Sequence, residues 1–263
     1  MKAPRFSGAS CPFDECDGSG FVVDDATRAA STCRCRPQRI AAAKARKLSA
    51  VIPRRYAGVS FDRPPVTQID PRVVSAVRRY VDDLDANLDR GQGLWLEGDV
   101  GTGKTTLAML VSRSALERGR SVAIYSLPRL LSELRKTFDD GAEMAYLDLI
   151  DSLTAVDLLH VDDVGAERSN PWVLEQLYTI VNARYEEQRA VVITTNLGHD
   201  ALQEQIGDRT VSRLVEMCGD LKLPLFGGDR RLEHEVPEPV VTPSPPWETG
   251  AVRYGEPPAR RAG

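Results

Sequence analysis

No apolar run in the chain approaches the roughly 18 residues of a transmembrane helix, and the N-terminal "MKAPRFSGASCPFDECDG" lacks the apolar core of a secretion signal. Both absences argue for a cytoplasmic protein with no membrane partner. Basic charge is not in surplus either: 34 Lys and Arg stand against 38 Asp and Glu, a formal charge of −4. That balance excludes a surface coated for non-specific nucleic-acid binding and leaves room only for a local contact. Five cysteines in a chain that reads as cytoplasmic are not a disulfide framework, so the four before residue 36 call for a metal or for coincidence. No internal repeat is visible. What the chain does have is 42% hydrophobic content over 263 residues, enough to bury one full α/β core beside a small appendage.

Composition divides the chain into four zones. Residues 1–36 hold Cys11, Cys16, Cys33 and Cys35 and too few large apolar side chains for a core of their own. The spacing C-x4-C-x16-C-x-C, with Gly18 and Gly20 after the second cysteine, lets four thiolates close a tetrahedral Zn²⁺ site that supplies the missing folding energy. The alternative is a set of free buried or redox-active cysteines; Cys218, in a predicted helix, reads as ordinary packing. Residues 37–55 read as a basic linker helix: from Cys33 to Arg55 there are eight Lys and Arg and no acid, and "PQRIAAAKARKLSAV" sets helix formers behind a proline. Such a stretch either contacts single-stranded DNA or is a solvated linker. Residues 56–236 carry the main domain, and seven prolines within 237–263 deny that tail a packed element and predict disorder.

In the main domain, short runs rich in Val, Ile and Leu predict strands over 93–97, 121–126, 157–162, 190–195 and 221–226. Helical stretches lie between them: "TTLAMLVSRSALER" stopped by Gly119, "LPRLLSELRKTF", "MAYLDLIDSL", and "PWVLEQLYTIVNARYEEQ" with Asn170 as N-cap and Pro171 at the first helical position. Alternating strands and helices predict a parallel sheet flanked by helices.

The turn after the first of these strands, "GDVGTGKT", matches the phosphate-loop pattern G-x-x-x-x-G-K-[ST] between a strand and a helix. Gly98, Asp99, Val100, Gly101, Thr102, Gly103, Lys104, Thr105 and Thr106 are therefore the expected ATP contacts. Glycines let backbone N–H groups turn onto phosphates, Lys104 reaches the β- and γ-phosphates, and Thr105 ligates Mg²⁺. "DLLHVDDVGAE" supplies the acids: Asp162 to hold Mg²⁺ and Asp163 to orient the attacking water. Asp163 stands where ATPases of this class commonly have Glu, one methylene longer, so slow turnover is expected. Asn196, at the end of "AVVITTN", is placed either to hydrogen-bond the γ-phosphate or the water or to cap the following helix. Arg209 and Arg213 lie four apart on one helical face, which suits an arginine finger serving a neighbouring subunit or an ordinary solvated face.

With "GDVGTGKT", "LLHVDDVGAE", "TTN", "SRL" and "GGDRR" in order, residues 50–232 resemble the AAA+ ATPases of the bacterial helicase-loader type, the DnaC/DnaI-like group, with the IstB-like transposition helpers closely related. The resemblance implies a P-loop NTPase sheet and places Lys104, Thr105, Asp162, Asp163 and Asn196 in the roles already argued. It also implies that Arg213 is the arginine finger and Arg231 the sensor-2 arginine. Asp-Asp in place of Asp-Glu also occurs in that family. The proline-rich end leaves no room for a full C-terminal helical lid, as in the loaders, and a missing lid implies self-assembly to close the pocket. The loaders also carry an N-terminal zinc or helical module that grips the helicase, whereas the transposition helpers generally lack the cysteines. The implied activity is Mg²⁺-dependent ATP hydrolysis, with a replicative DNA helicase and single-stranded DNA as partners. Two other readings stay open: a helper that delivers a transposase, and a zinc adaptor whose core binds nucleotide without hydrolysing it.

Overall fold

A computed structural model of the chain describes residues 11, 13–24, 27–36, 48, 51–139, 143–167 and 169–228, all within one unit, Met1–Asp229. In the cysteine-rich segment two strands of three residues, β1 (Phe21–Val23) and β2 (Ala30–Thr32), pair antiparallel. The main domain holds β3 (Leu94–Gly98), β4 (Val122–Ser126), β5 (Leu158–Asp162), β6 (Ala190–Thr195) and β7 (Lys222–Leu225), each within one residue of its expected bounds. They form one parallel sheet in the order β4-β5-β6-β3-β7. The strand that leads into the phosphate loop is thus flanked by β6 and β7, and β6 separates it from the strand that ends in Asp162.

Eight α-helices are described: α1 (Pro71–Asp82), α2 (Leu84–Asp89), α3 (Lys104–Glu117), α4 (Leu127–Asp139), α5 (Glu143–Ala155), α6 (Pro171–Glu186), α7 (His199–Ile206) and α8 (Asp208–Cys218). Side chains alternate across the sheet, as the two-residue period of a strand requires. Leu94 and Leu96 of β3 join a core with α1, α2 and α3, whereas Trp95 between them joins a second core with α4 to α8. Both faces of the sheet are therefore covered, which is why its strands read as continuous apolar runs.

Helix α6 starts as foreseen, with Asn170 Oδ1 accepting from Val173 N–H at 3.1 Å and Pro171 in the first turn. Helices α1 and α2 are not among those read from the sequence, although α1 carries the same signature. Asp70 Oδ1 accepts from Arg72 N–H at 2.8 Å, Pro71 follows, and Val73, Val77, Tyr80 and Val81 bury one face. Each of those burials contributes about 1.5–3 kcal/mol at most. The basic helix expected over 37–55 falls largely outside the described residues; at its end, residues 51–53 carry no regular structure and Arg54–Tyr56 is a single 3-10 turn. Arg231 and the tail 237–263 also lie outside them.

Candidate functional site

The phosphate loop is built where β3 meets β7. Gly98 ends β3 at φ +128°, and a Cβ there would lie 2.0 Å from the carbonyl oxygen of Leu225, so only glycine lets the two strands close at this point. Asp99 N–H donates to that carbonyl at 3.0 Å, and Gly227 N–H donates to Asp99 Oδ2 at 3.1 Å, tying the loop to the end of β7. Gly103, at φ +103°, lets Ile69 pack against the turn, where a Cβ would come within 2.4 Å of its Cδ1. Lys104 opens α3 as a buried residue, and its Nζ donates to the carbonyls of Gly98 at 2.8 Å and Asp99 at 2.5 Å. Thr102 Oγ1 donates to Asp99 O at 2.8 Å, Val100 is exposed, and Thr105 and Thr106 are half-buried in the first turn of α3. A loop curled around a cation at a helix N-terminus suits a chain of phosphates.

The two acids stand at the end of β5, held by one hydroxyl. Thr194 Oγ1 of β6 donates to Asp162 Oδ1 at 2.7 Å and accepts from Asp163 N–H at 2.8 Å. Burial works to raise the Asp162 carboxyl, but the nearby His160, the hydrogen bond from Thr194 and the neighbouring Thr105 hydroxyl outweigh it and hold it below the usual carboxylate range. Thr105 at the start of the phosphate helix lies close to Asp162 of the sheet, two oxygen donors of the kind Mg²⁺ takes. Asp163 adopts φ +61°, uncommon for a residue with a side chain, and its Oδ1 accepts from Asn196 Nδ2 at 2.9 Å. Asn196 does not cap the following helix, whose N-cap is Gly198 without a side-chain hydrogen bond. The sequence reading missed Thr194 and His160; the one signal was a histidine inside the apolar run of "DLLHVDD".

Arg213 is not gathered with these residues. On α8 its guanidinium lies over the rings of Tyr178 and Tyr185 of α6, 4.9 and 5.5 Å from their centroids, and Tyr185 Oη donates to Glu216 Oε2 at 2.6 Å. Arg209, one turn earlier, is exposed.

Cys11, Cys16, Cys33 and Cys35 come together across the hairpin, with all four sulfurs within 4.8 Å of one another. Cys11 Sγ lies 3.7 Å from Cys33 Sγ, and Cys16 Sγ 3.5 Å from Cys35 Sγ. Zn–S bonds of about 2.3 Å in a tetrahedron set sulfurs roughly 3.8 Å apart, so the cluster fits zinc. Burial opposes ionisation of Cys11, yet backbone hydrogen bonds from Phe13, Glu15 and Cys16 lower its thiol into the thiolate range. Burial and the neighbouring sulfurs raise Cys35, because four thiolates do not share one site without a cation among them. Cys218, at the end of α8, is buried in the main core, and burial alone raises its thiol.

The family profile described as IstB-like ATP binding protein matches residues 35–219. The replicative helicase loader DnaC of Buchnera aphidicola subsp. Acyrthosiphon pisum is 26% identical over 177 residues, 65% of this chain and 71% of that protein. DnaC of Escherichia coli K12 is 28% identical over 141 residues, 54% of this chain and 56% of that protein. The crystal structure of the DnaC helicase loader matches with TM-score 0.55 and 25% identity, over 67% of this chain and 100% of that one. DnaI shares the fold, with TM-score 0.52 and 23% identity over 66% of this chain and 93% of its own. So does a replication initiator DnaA bound to AMPPCP and single-stranded DNA, with TM-score 0.54 and 19% identity over 66% of this chain and 50% of its own.

Proposed function

The chain belongs to the IstB-like ATP-binding proteins, and from that membership we propose that it is a Mg²⁺-dependent ATPase that delivers a replicative DNA helicase onto single-stranded DNA. The observation that carries this reading is the gathering of Lys104, Thr105, Asp162, Asp163 and Asn196 at the phosphate loop, in a chain that is similar to the whole of a solved DnaC loader chain. Lys104 and the loop N–H groups bind the β- and γ-phosphates, and Thr105 and Asp162 hold the metal. Magnesium, when bound, neutralises charge on the phosphoryl oxygens. Asp163 accepts a hydrogen bond from the attacking water and orients it, while Asn196 holds that carboxylate in place through Nδ2. Because Asp163 is one methylene shorter than Glu, the water is held less firmly and turnover is slow.

Around this core, Arg213 reaches a neighbouring subunit's nucleotide as an arginine finger and Arg231 serves as the sensor-2 arginine, so the chain works as a self-assembled oligomer. The zinc-loaded cysteine module grips the helicase, and the basic stretch up to Arg55 contacts single-stranded DNA. The test is reconstitution with a candidate helicase and a single-stranded circle that has no free end. Wild-type protein with ATP and Mg²⁺ is expected to place the helicase on the circle. Lys104→Ala, which removes the loop's cation, is expected to lose binding of a fluorescent ATP analogue and the loading with it. Helicase loading unaffected by Lys104→Ala would overturn the role of ATP.

A second reading, a helper that delivers a transposase, is favoured by the name of the matching family. It predicts ATP-dependent filaments on duplex DNA and a transposase, not a helicase, retained in a pull-down from native extract. A zinc adaptor with a non-hydrolysing core is favoured only by the shorter acid at Asp163, and measurable turnover stimulated by single-stranded DNA excludes it.

A further inference from the structure

His160 is an imidazole in the middle of a buried strand, with no exposed surface at all. Its neighbours in β5 are Leu158, Leu159 and Val161, all apolar and buried, so packing alone would be served as well by another aliphatic residue. One side of the ring is anchored: Nδ1 lies 2.9 Å from Ser112 Oγ, a hydroxyl that is itself fully buried on α3. The other nitrogen, Nε2, is buried without a hydrogen-bond partner and lies 3.9 Å from Asp162 Oδ1. Burying a polar group in this way is unfavourable unless it does something that an apolar side chain cannot.

The placement follows from two periods. In a strand, residues two apart share a face, so His160 and Asp162 both point towards α3. In a helix, residues seven apart share a face, so Thr105 and Ser112 both point towards β5. The helix that carries the phosphate loop and the strand that carries the metal-binding acid are therefore joined by one polar rung, Ser112 to His160, with Thr105 close to Asp162 one step nearer the loop. We propose that His160 is a positioning residue: clamped to α3 through Ser112, it aims Nε2 at Asp162 and fixes the rotation of that carboxylate for Mg²⁺. When Ser112 donates to Nδ1, the ring's proton sits on Nε2, the tautomer that faces the carboxylate with a donor. Residues behind a metal ligand commonly set its orientation, and their loss weakens metal affinity by about 10–100-fold.

The inference rests on the reading of Asp162 as a magnesium ligand, and the experiment separates the two. Mn²⁺ replaces Mg²⁺ as a paramagnetic probe, and its affinity is titrated in the presence of a non-hydrolysable ATP analogue. Analogue affinity in EDTA is measured in parallel as a check on the loop and the fold. In His160→Leu, Mn²⁺ affinity is expected to fall about tenfold with analogue affinity in EDTA unchanged. His160→Gln, which restores a donor near Nε2, is expected to recover most of the loss, and Ser112→Ala to show a smaller loss in the same direction. If His160→Leu does not fold, His160→Gln and Ser112→Ala decide the question, because neither changes the buried volume between α3 and β5 much. Mn²⁺ affinity lost in Asp162→Asn but kept within about twofold in every His160 and Ser112 variant overturns the inference and leaves the magnesium reading intact. Mn²⁺ affinity unmoved by Asp162→Asn overturns the magnesium reading, and the inference falls with it.

Discussion

At the scale of single residues, the polar groups near the sheet divide into those that serve chemistry and those that hold the fold. Asp163 is exposed, strained at φ +61° and held by Asn196, a combination that suits an acid committed to orienting a reactant. Asp163→Asn is expected to lower turnover by about 10²-fold or more while changing nucleotide affinity little, as steady-state hydrolysis and binding of a fluorescent analogue measure separately. Arg184 is the opposite case. It is fully buried, and its guanidinium donates to the carbonyls of Leu153 at 2.6 Å, Thr154 at 3.2 Å, Asp157 at 3.4 Å and Ala190 at 2.5 Å. Those carbonyls end α5 and begin β5 and β6, so one planar fork joins three segments. Arg184→Met would leave the carbonyls without donors and is expected to cost about 3–5 kcal/mol in denaturant unfolding. Lys, with a single point of donation, should recover less than half of that. A loss under about 1 kcal/mol in Arg184→Met would show that water replaces the fork.

At the scale of elements, the fold depends on close approach where the phosphate loop begins. Gly98→Ala sets a Cβ against the backbone of Leu225 in a φ region that side chains avoid, so β3 and β7 must part. A loss of about 3 kcal/mol is expected, a melting point lower by roughly 10 °C in a domain of this size, with nucleotide binding weakened as well. The cysteine hairpin obeys a different rule, because β1 and β2 bury almost nothing and the four clustered sulfurs beside them are placed to be bridged by a metal. Removing zinc with a strong chelator should unfold that module and leave the melting of the five-stranded sheet unchanged, and elemental analysis of fresh protein should find about one zinc per chain. These contrasts explain what could be read beforehand. Strands covered on both faces appear as short apolar runs, so β3 to β7 were legible to within a residue. A hairpin of three-residue strands held by thiols has no hydrophobic period to read. The phosphate loop was legible because its residues are consecutive. Thr194 and His160 were not, because their partners Asp163 and Ser112 lie 31 and 48 residues away and only the sheet brings them together.

At the scale of the whole molecule, the open question is where Arg213 does its work. Within the chain its half-buried guanidinium rests on Tyr178 and Tyr185, and among the described residues it makes no hydrogen bond to the phosphate loop or its acids. Two cation–π contacts at a partly exposed site are together worth about 1–3 kcal/mol. An arginine finger raises phosphoryl-transfer rates about 10³–10⁵-fold, roughly 4–7 kcal/mol of transition-state stabilisation. If Arg213 is the finger proposed above, leaving the rings costs less than the finger gains in the transition state, so the two contacts do not forbid that role. Arg213→Ala is therefore expected to bind ATP normally and to be nearly inactive, while Lys104→Ala keeps its arginine but has no working loop. Mixing the two with single-stranded DNA and helicase present creates some interfaces where an intact arginine faces an intact loop. Hydrolysis should reappear at a fraction of the wild-type rate, greatest near equal amounts of the two. Tyr178→Ala combined with Tyr185→Ala should leave the residues at the loop untouched and change only the concentration at which activity appears, since the arginine is then no longer preset. If mixtures at every ratio show only the sum of the two mutants while light scattering reports co-assembly, Arg213 does not act across the interface, and its place on the two rings is a matter of packing alone.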